Sequence, residues 1–243
     1  MSSILLCRHG ETSANVAGIM QGQSESELTA LGRAQAQDLA CEICRRASEA
    51  GAPFATSVYS SDLSRASATA AFVVAALQER CSGSTFTLAT DPRLRERRLG
   101  PLQGRTPEAS RSLYPRTWDA VFGSGADGTA SGLTEPGADE NGGLESAAEV
   151  RERAAAALRE IAANHPGQRI VLVSHGGCIF SAVAEVTKCR KNAVPHIGNA
   201  SITMLVAPAQ GKAEPWQLVS PAGDDRHVTA GKGGAVNVDV SAK

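Results

Sequence analysis

The sequence predicts an α/β fold: three layers, α/β/α, around a central, mostly parallel sheet with helices on both faces. Short runs that are apolar throughout alternate with longer helical patterns, as in a sheet buried on both sides and crossed by helices. Most of the early strand candidates end in an abrupt switch to polar residues, the place where open α/β sheets bind ligands. The 243 residues are 42% hydrophobic and 20% charged. That balance excludes disorder, collagen and coiled coil as the dominant state.

The elements follow in order. Ile4-Leu5-Leu6-Cys7 reads as a buried strand, and Arg8-His9-Gly10-Glu11-Thr12 comes directly after it. Thr29 opens a helical pattern with Leu31, Leu39 and Ile43 on its apolar face, closed by Gly51 and Pro53. Ser57-Val58-Tyr59 is a second strand, and Ser60-Ser61-Asp62 offers capping oxygens to a helix from about Leu63 to Arg80. Phe86 to Ala89 is a third strand, leading into Asp91 through Gly100. Residues 105–143 read as loop, and their Gly- and acid-rich part, 121–143, as a mobile insertion. Ser146-x-x-Glu149 is a capping box for a helix reaching Asn164. Ile170 to Val173 is the strongest strand, followed by Ser174-His175-Gly176-Gly177 and a short helix from about Ile179 to Thr187. Two further strands are expected at 201–206 and 216–219. A single domain is expected over 1–227 and a disordered tail over 228–243.

Charge and cysteine content narrow the classes. Twenty-four basic against 25 acidic residues, with pI ≈ 6.5, argue against broad binding to nucleic acid or to an anionic membrane. No apolar run approaches the ~20 residues of a membrane span. The first residues charge too early for a secretory signal. Cys7, Cys41, Cys44, Cys81, Cys178 and Cys189 are therefore expected to be reduced thiols in a cytoplasmic protein. Cys41-x-x-Cys44 sits inside a helical pattern without a second pair, so no metal site is expected there. The sequence leaves the oligomeric state open, with a homodimer among the options.

The polar clusters converge. Arg8 and His9 follow strand one, Arg65 lies in the first turn after strand two, Glu96 in the loop after strand three, and His175 after the Ile170–Val173 strand. Two histidines and two arginines at one sheet edge make an electropositive pocket. Arginine offers a planar fork matched to phosphate oxygens. A neutral histidine with one nitrogen held by a partner is a nucleophile near neutral pH. A carboxylate beside them can move a proton to a leaving oxygen. The chemistry this set suits is phosphoryl transfer to histidine and then to water. Each residue also has a plainer reading. His9 could be a cap, Arg65 could pair with Asp62 on the helix surface, and Glu96 could belong to a solvated cluster with Arg93, Arg95, Arg97 and Arg98. Glu11 is a second candidate acid. His165, before Pro166-Gly167, reads as a structural residue facing helix C-terminal carbonyls. His196 and His227 have no catalytic context.

These motifs resemble a known family. Leu6-Cys7-Arg8-His9-Gly10-Glu11-Thr12 with Asn15 is similar to the Arg-His-Gly signature of the histidine phosphatase superfamily, in its phosphoglycerate mutase-like branch. The resemblance continues through Gln21-Gly22, Leu28-Thr29-x-x-Gly32, Ser60-Ser61-Asp62-Leu63-x-Arg65-Ala66, Glu96-x-x-x-Gly100, Ser174-His175-Gly176-Gly177 and Asn199-x-Ser201. It implies that His9 is the nucleophile that becomes phosphohistidine. It implies that Arg8, Arg65 and His175 hold the transferred group, and that Glu96 donates and accepts the proton. Asn15, Gln21, Gly22 and Gly176 match substrate-binding positions. No metal and no cofactor is implied, and the substrate would be a small phosphate ester. Two departures stand out. Gly142-Gly143-Leu144-Glu145-Ser146 carries one residue more than the family's Gly-Gly-Glu-Ser, and Ala14-Asn15 replaces the Trp-Asn of the mutases proper. The second favours a phosphatase over a phosphoglycerate mutase-type phosphotransferase. A catalytically inactive binding protein is the remote alternative.

Overall fold

The computed structural model describes residues 1–48, 53–80, 85–123, 142–189, 197–209, 211–212, 214–219 and 224–229. Cys81, His196, most of the 121–143 segment and the tail beyond 229 lie outside them.

Six strands form one mixed sheet in the order β3-β2-β4-β1-β5-β6. Strands β1 (Ser3–Arg8), β2 (Ser57–Ser60), β3 (Thr87–Thr90) and β4 (Arg169–Ser174) are mutually parallel. Strand β5 (Ile202–Val206) runs antiparallel to β1, and β6 (Gln217–Leu218) antiparallel to β5. The expectation of a mostly parallel sheet holds, with the two late strands supplying the antiparallel edge.

The unbroken apolar runs of β1 and β4 are explained by the core. Ile4 and Leu6 pack with their register partners Ile170 and Leu172 against α6 (Ala147–Asn164) and α7 (Gly176–Thr187). Leu5 and Cys7 pack with Val171 and Val173 on the opposite face, against α2 (Ala30–Ser48) and α3 (Ser64–Arg80). Both faces of each strand are therefore buried, which is why the inner positions, Ile4 to Cys7 and Ile170 to Val173, are apolar. Alanines at Ala36, Ala40, Ala66, Ala70, Ala154, Ala155 and Ala157 are fully buried in these layers. Among the described residues, no helix is long and apolar enough to cross a membrane.

The helix starts follow the capping rules. Thr29 Oγ1 accepts from Gly32 N at 2.9 Å. Ser146 and Glu149 form the reciprocal capping box of α6. At α3, Ser61 Oγ accepts from Leu63 N, and the Glu25 carboxylate accepts from Ser64 N at 2.9 Å.

The segment from 105 is not plain loop. It contains α4 (Pro107–Leu113), capped by Thr106, and α5 (Pro115–Phe122), which extends two residues into the segment read as an insertion. Both prolines stand in the first turn, where the missing N–H costs nothing. A four-residue helix α1 (Ser13–Val16) follows the Arg-His-Gly signature. The start of α7 also differs from expectation, lying at Gly176 rather than near Ile179, with His175 as its N-cap.

Candidate active site

The parallel register places the chemistry. Arg8 on β1 pairs with Ser174 on β4, so the residues that follow, His9 and His175, emerge side by side at the carboxyl edge. Their ring centroids are 5.2 Å apart and both residues are buried.

The two rings are held in opposite tautomers. His9 Nδ1 lies 2.7 Å from the Gly10 carbonyl oxygen. A carbonyl only accepts, so Nδ1 carries the proton and Nε2 keeps its lone pair. The ring is held at its backbone too: His9 N donates to Ser174 O, and His9 O accepts from Ala200 N and from Asn199 Nδ2. At His175 the logic reverses. Arg65 Nε donates to its Nδ1 at 3.2 Å, so the proton sits on Nε2. That buried Nε2 has no hydrogen-bond partner among the described residues. Burial, then Arg65 and Arg8, keep the pKa of His9 well below 6.5. Burial, Arg65 and His9 do the same for His175. Both rings are neutral at pH 7, His9 with a lone pair on Nε2 and His175 with an N–H that has no partner among the described residues.

Arg65 lies in the first turn of α3, 1% exposed. It does not pair with Asp62, which instead takes a bidentate contact from Arg95 at 2.7 and 2.6 Å. Besides His175, Arg65 donates from Nη1 to Ser24 O at 2.7 Å and from Nη2 to Gly22 O at 2.8 Å. Each Nη retains a second N–H. Arg8 is buried beside it and donates from Nη1 to Ile197 O. Gly22 has φ +51°, and a Cβ there would lie 2.2 Å from Gln103 Oε1, so glycine is favoured in that loop. The neighbouring Gln21 has a buried side-chain oxygen without a partner among the described residues. Asn15 completes the capping box of α1, accepting from Thr12 N.

Glu96 is not part of a solvated cluster. Its Oε2 accepts from Gly177 N at 3.0 Å, at the N-terminus of α7 and two residues from His175, and its Oε1 accepts from Arg97 N. A Cβ on Gly177 would lie 2.7 Å from Glu96 Oε1. Gly176 is buried in the same first turn. Three of the four surrounding arginines have defined side-chain partners: Arg93 with Asp91 and Glu160, Arg95 with Asp62, Arg97 with Glu145 O; the Nε of the fourth, Arg98, is buried without one among the described residues. Glu11, the other candidate acid, is buried and accepts from Thr29 Oγ1 at 2.8 Å, fastening α2 to the end of β1.

His165 and His227 serve the fold. His165 meets Tyr59 Oη and Gln168 through its ring rather than helix carbonyls, and His227 Nε2 donates to Ala200 O. Among the described residues no group of three or more His, Cys, Asp or Glu could hold a metal ion. Residues the sequence reading passed over also build the site: Arg153 and Glu145, both at the Glu96 loop, and Gln103, which receives Gln23 N and Leu99 N.

An open α/β sheet with a paired-histidine, paired-arginine edge defines an enzyme of phosphatase or phosphoglycerate mutase type. The histidine phosphatase superfamily (branch 1) matches residues 4–217, and the chain belongs to that family. It is 34% identical over 205 residues to a metal-independent phosphoserine phosphatase of Arabidopsis thaliana, covering 84% of this chain and 76% of the relative. It is 35% identical over 236 residues to a probable phosphoglycerate mutase GpmB of Proteus mirabilis (strain HI4320), covering 94% and 96%. Among solved structures, Bacillus stearothermophilus YhfR matches with TM-score 0.74 and 26% identity, covering 94% of this chain and 100% of that one. A mycobacterial glucosyl-3-phosphoglycerate phosphatase solved with VO3 matches with TM-score 0.69 and 28% identity, covering 90% and 98%.

Proposed function

We propose that this protein hydrolyses the phosphate monoester of a small phosphorylated metabolite through a phosphohistidine at His9. The observation that carries the reading is the pair of opposed tautomers: a lone pair on His9 Nε2 beside an unsatisfied N–H on His175 Nε2. In the first step His9 Nε2 attacks phosphorus and the bond from phosphorus to the ester oxygen breaks. Glu96 delivers the proton that the leaving oxygen needs. In the second step Glu96 takes a proton from water, whose oxygen attacks the phosphorus. The N–P bond breaks, phosphate leaves, and the lone pair returns to Nε2. Arg8, Arg65 and the His175 N–H meet the charge on the equatorial oxygens throughout. The resemblance of Arg8, His9, Arg65, Glu96 and His175 to the family signature supports these roles, as do the phosphatases among the relatives.

His9→Ala tests the mechanism. It lowers turnover by several orders of magnitude, as removal of a nucleophile does elsewhere. The wild type, quenched during turnover, carries acid-labile, base-stable phosphate that the variant lacks. Because protein cations meet the transferring charge, EDTA leaves turnover unchanged. Near-normal activity in His9→Ala overturns the reading. Partition of labelled phosphate between water and a second hydroxyl of the substrate separates hydrolysis from mutase transfer, and hydrolysis is expected to dominate.

A further inference from the structure

We propose that Arg153, on α6, is the positioning residue for the Glu96 proton-transfer step: it fixes the main chain of the Glu96 loop so that the carboxylate stays at the N-terminus of α7. This rests on the role given to Glu96 above.

The geometry is specific to an arginine. A guanidinium has five N–H donors, and all five of Arg153 are used. Nη1 donates to Arg93 O and Arg95 O, each at 2.7 Å. Nη2 donates to Glu96 O at 3.1 Å and to Glu145 Oε2 at 2.9 Å. Nε donates to Glu145 Oε1 at 2.5 Å. Three main-chain carbonyls within four residues thus converge on one side chain from a helix about 60 positions away. Glu145 fastens the far end of the same loop. Its Oε2 also accepts from Arg98 N at 3.0 Å, its backbone N donates to Arg98 O, and its carbonyl accepts from Arg97 Nε at 2.7 Å. The Arg153 side chain is 18% exposed and that of Glu145 only 3%.

The anchor sits behind Glu96 and leaves its carboxylate to Gly177 N and Arg97 N. The backbone is held from α6 by Arg153, with Gln23 Nε2 also donating to Glu96 O at 2.9 Å, and the carboxylate is held by Gly177 N of α7 and by Arg97 N of the loop, so two helices contribute to setting the acid's reach. The extra residue in the Gly142–Ser146 segment leaves this intact. Leu144 is taken up in a bridge to Leu99, while Glu145 meets the loop and Ser146 caps α6. A displacement of about 1 Å in a positioned catalytic group costs on the order of 10²-fold. For an acid that loss falls on substrates whose leaving oxygen needs a proton.

The experiment compares nitrophenyl phosphate, whose leaving group is stable as the anion, with an alkyl phosphate, whose leaving group is not. The variants are Glu96→Gln, Arg153→Met, Arg153→Lys, Gly177→Ala and the double variant Glu96→Gln/Arg153→Lys. Glu96→Gln is expected to lose about 10²–10⁴-fold on the alkyl ester and far less in the nitrophenyl phosphorylation burst. Arg153→Lys keeps the charge but offers three donors where five are used. It should lower the alkyl-to-aryl rate ratio at least about tenfold with little change in KM. Gly177→Ala should give the same signature, because its Cβ would displace the Glu96 carboxylate from the other side. The double variant should be no more than about threefold worse than Glu96→Gln alone, since residues acting through one step are not additive. Arg153→Met removes the anchor outright, and its melting temperature shows whether folding is lost with it; Arg153→Lys and Gly177→Ala carry the test if so. Equal losses of Arg153→Lys on both esters, or losses that multiply with Glu96→Gln, overturn the positioning role alone. A flat leaving-group profile for Glu96→Gln itself overturns the acid role of Glu96, and this proposal with it.

Discussion

Replacing Gly32 by alanine tests how the Arg-His-Gly turn is held. Gly32 lies in the first turn of α2, buried against the chain leaving β1. A Cβ built there lies 1.9 Å from Glu11 O and 2.9 Å from Glu11 N, and a Cβ on Gly10 would lie 2.3 Å from Gly32 O. Both partners are backbone, so no side chain can swing away. Reaching an ordinary contact of about 3.4 Å requires the helix and the turn to part by about 1.5 Å, at an overpacking cost of about 1–3 kcal/mol. For a chain of this size that lowers the melting temperature by about 2–12 °C. The turn that moves includes Gly10, whose carbonyl fixes the His9 tautomer, so kcat falls about 10²-fold as well. Gly104→Ala is the control. Its φ is +77° with nothing within 4 Å of the added carbon, so it meets left-handed strain of about 1–2 kcal/mol and no clash. Calorimetry and nitrophenyl phosphate turnover measure both variants. If Gly32→Ala melts within a degree of the wild type and keeps its kcat, the close approach of these backbones is not what holds the turn.

The neutral histidines make stability depend on pH. Their folded pKa values lie well below the 6.5 of the unfolded chain. Below pH 6.5 the unfolded state therefore binds protons that the folded state does not, and stability falls with pH down towards the folded values, by up to about 1.4 kcal/mol per unit for each ring. His9→Asn should flatten the melting temperature profile below pH 6.5, and an unchanged slope refutes the burial argument. Thiol chemistry should divide by position. Burial pushes Cys7 to about 12 and Cys178 to about 11, whereas Cys41 is exposed. Iodoacetamide on the native protein, read by peptide mass, should label Cys41 and spare the other two; labelling of Cys7 without unfolding refutes their inertness.

The sheet and its carboxyl edge were legible because they are local signals. Ile4 to Cys7 and Ile170 to Val173 are apolar at every position, and that pattern fits only strands covered on both faces. The residues after them, His9 and His175, inherit their placement from the strands. Helices α4 and α5 were not read because their signals are short: a Thr106-Pro107 start and Pro115 after Tyr114, within a segment dominated by glycine further on. Glu96 could be named but not placed, since what places it is remote. Arg153 and Gly177 lie 57 and 81 positions away. Nothing in the Arg93–Arg98 run itself distinguishes a loop gripped from behind from a charged surface. Asp62 shows the same limit, being three residues from Arg65 but bonded to Arg95.

Arg65 ties the site's stability to its chemistry. The cation is 1% exposed, yet its bonds go to two carbonyls and a ring nitrogen rather than to a carboxylate. Burial lowers its pKa to about 10, with Glu96 and Glu25 only partly offsetting the loss of water. Removing a charge from water costs several kcal/mol even after relaxation, and neutral dipoles repay part of that. An anion beside the remaining Nη protons and the His175 Nε2 proton would repay more, so inorganic phosphate and vanadate should bind the folded state alone and raise its melting temperature. At 100 times the dissociation constant the gain is about 2.7 kcal/mol, or about 5–11 °C for a chain of this length. Arg65→Met removes the unbalanced cation along with its bonds to Gly22 O and Ser24 O. Whatever its own melting temperature, it should lose most of the anion-induced rise, while Arg95→Met, which breaks a partly exposed pair with Asp62 and a 3.4 Å bond to Gln23 Oε1, keeps it. If phosphate raises the melting temperature of Arg65→Met as much as that of the wild type, the buried arginine is there for the fold, and the anion binds elsewhere.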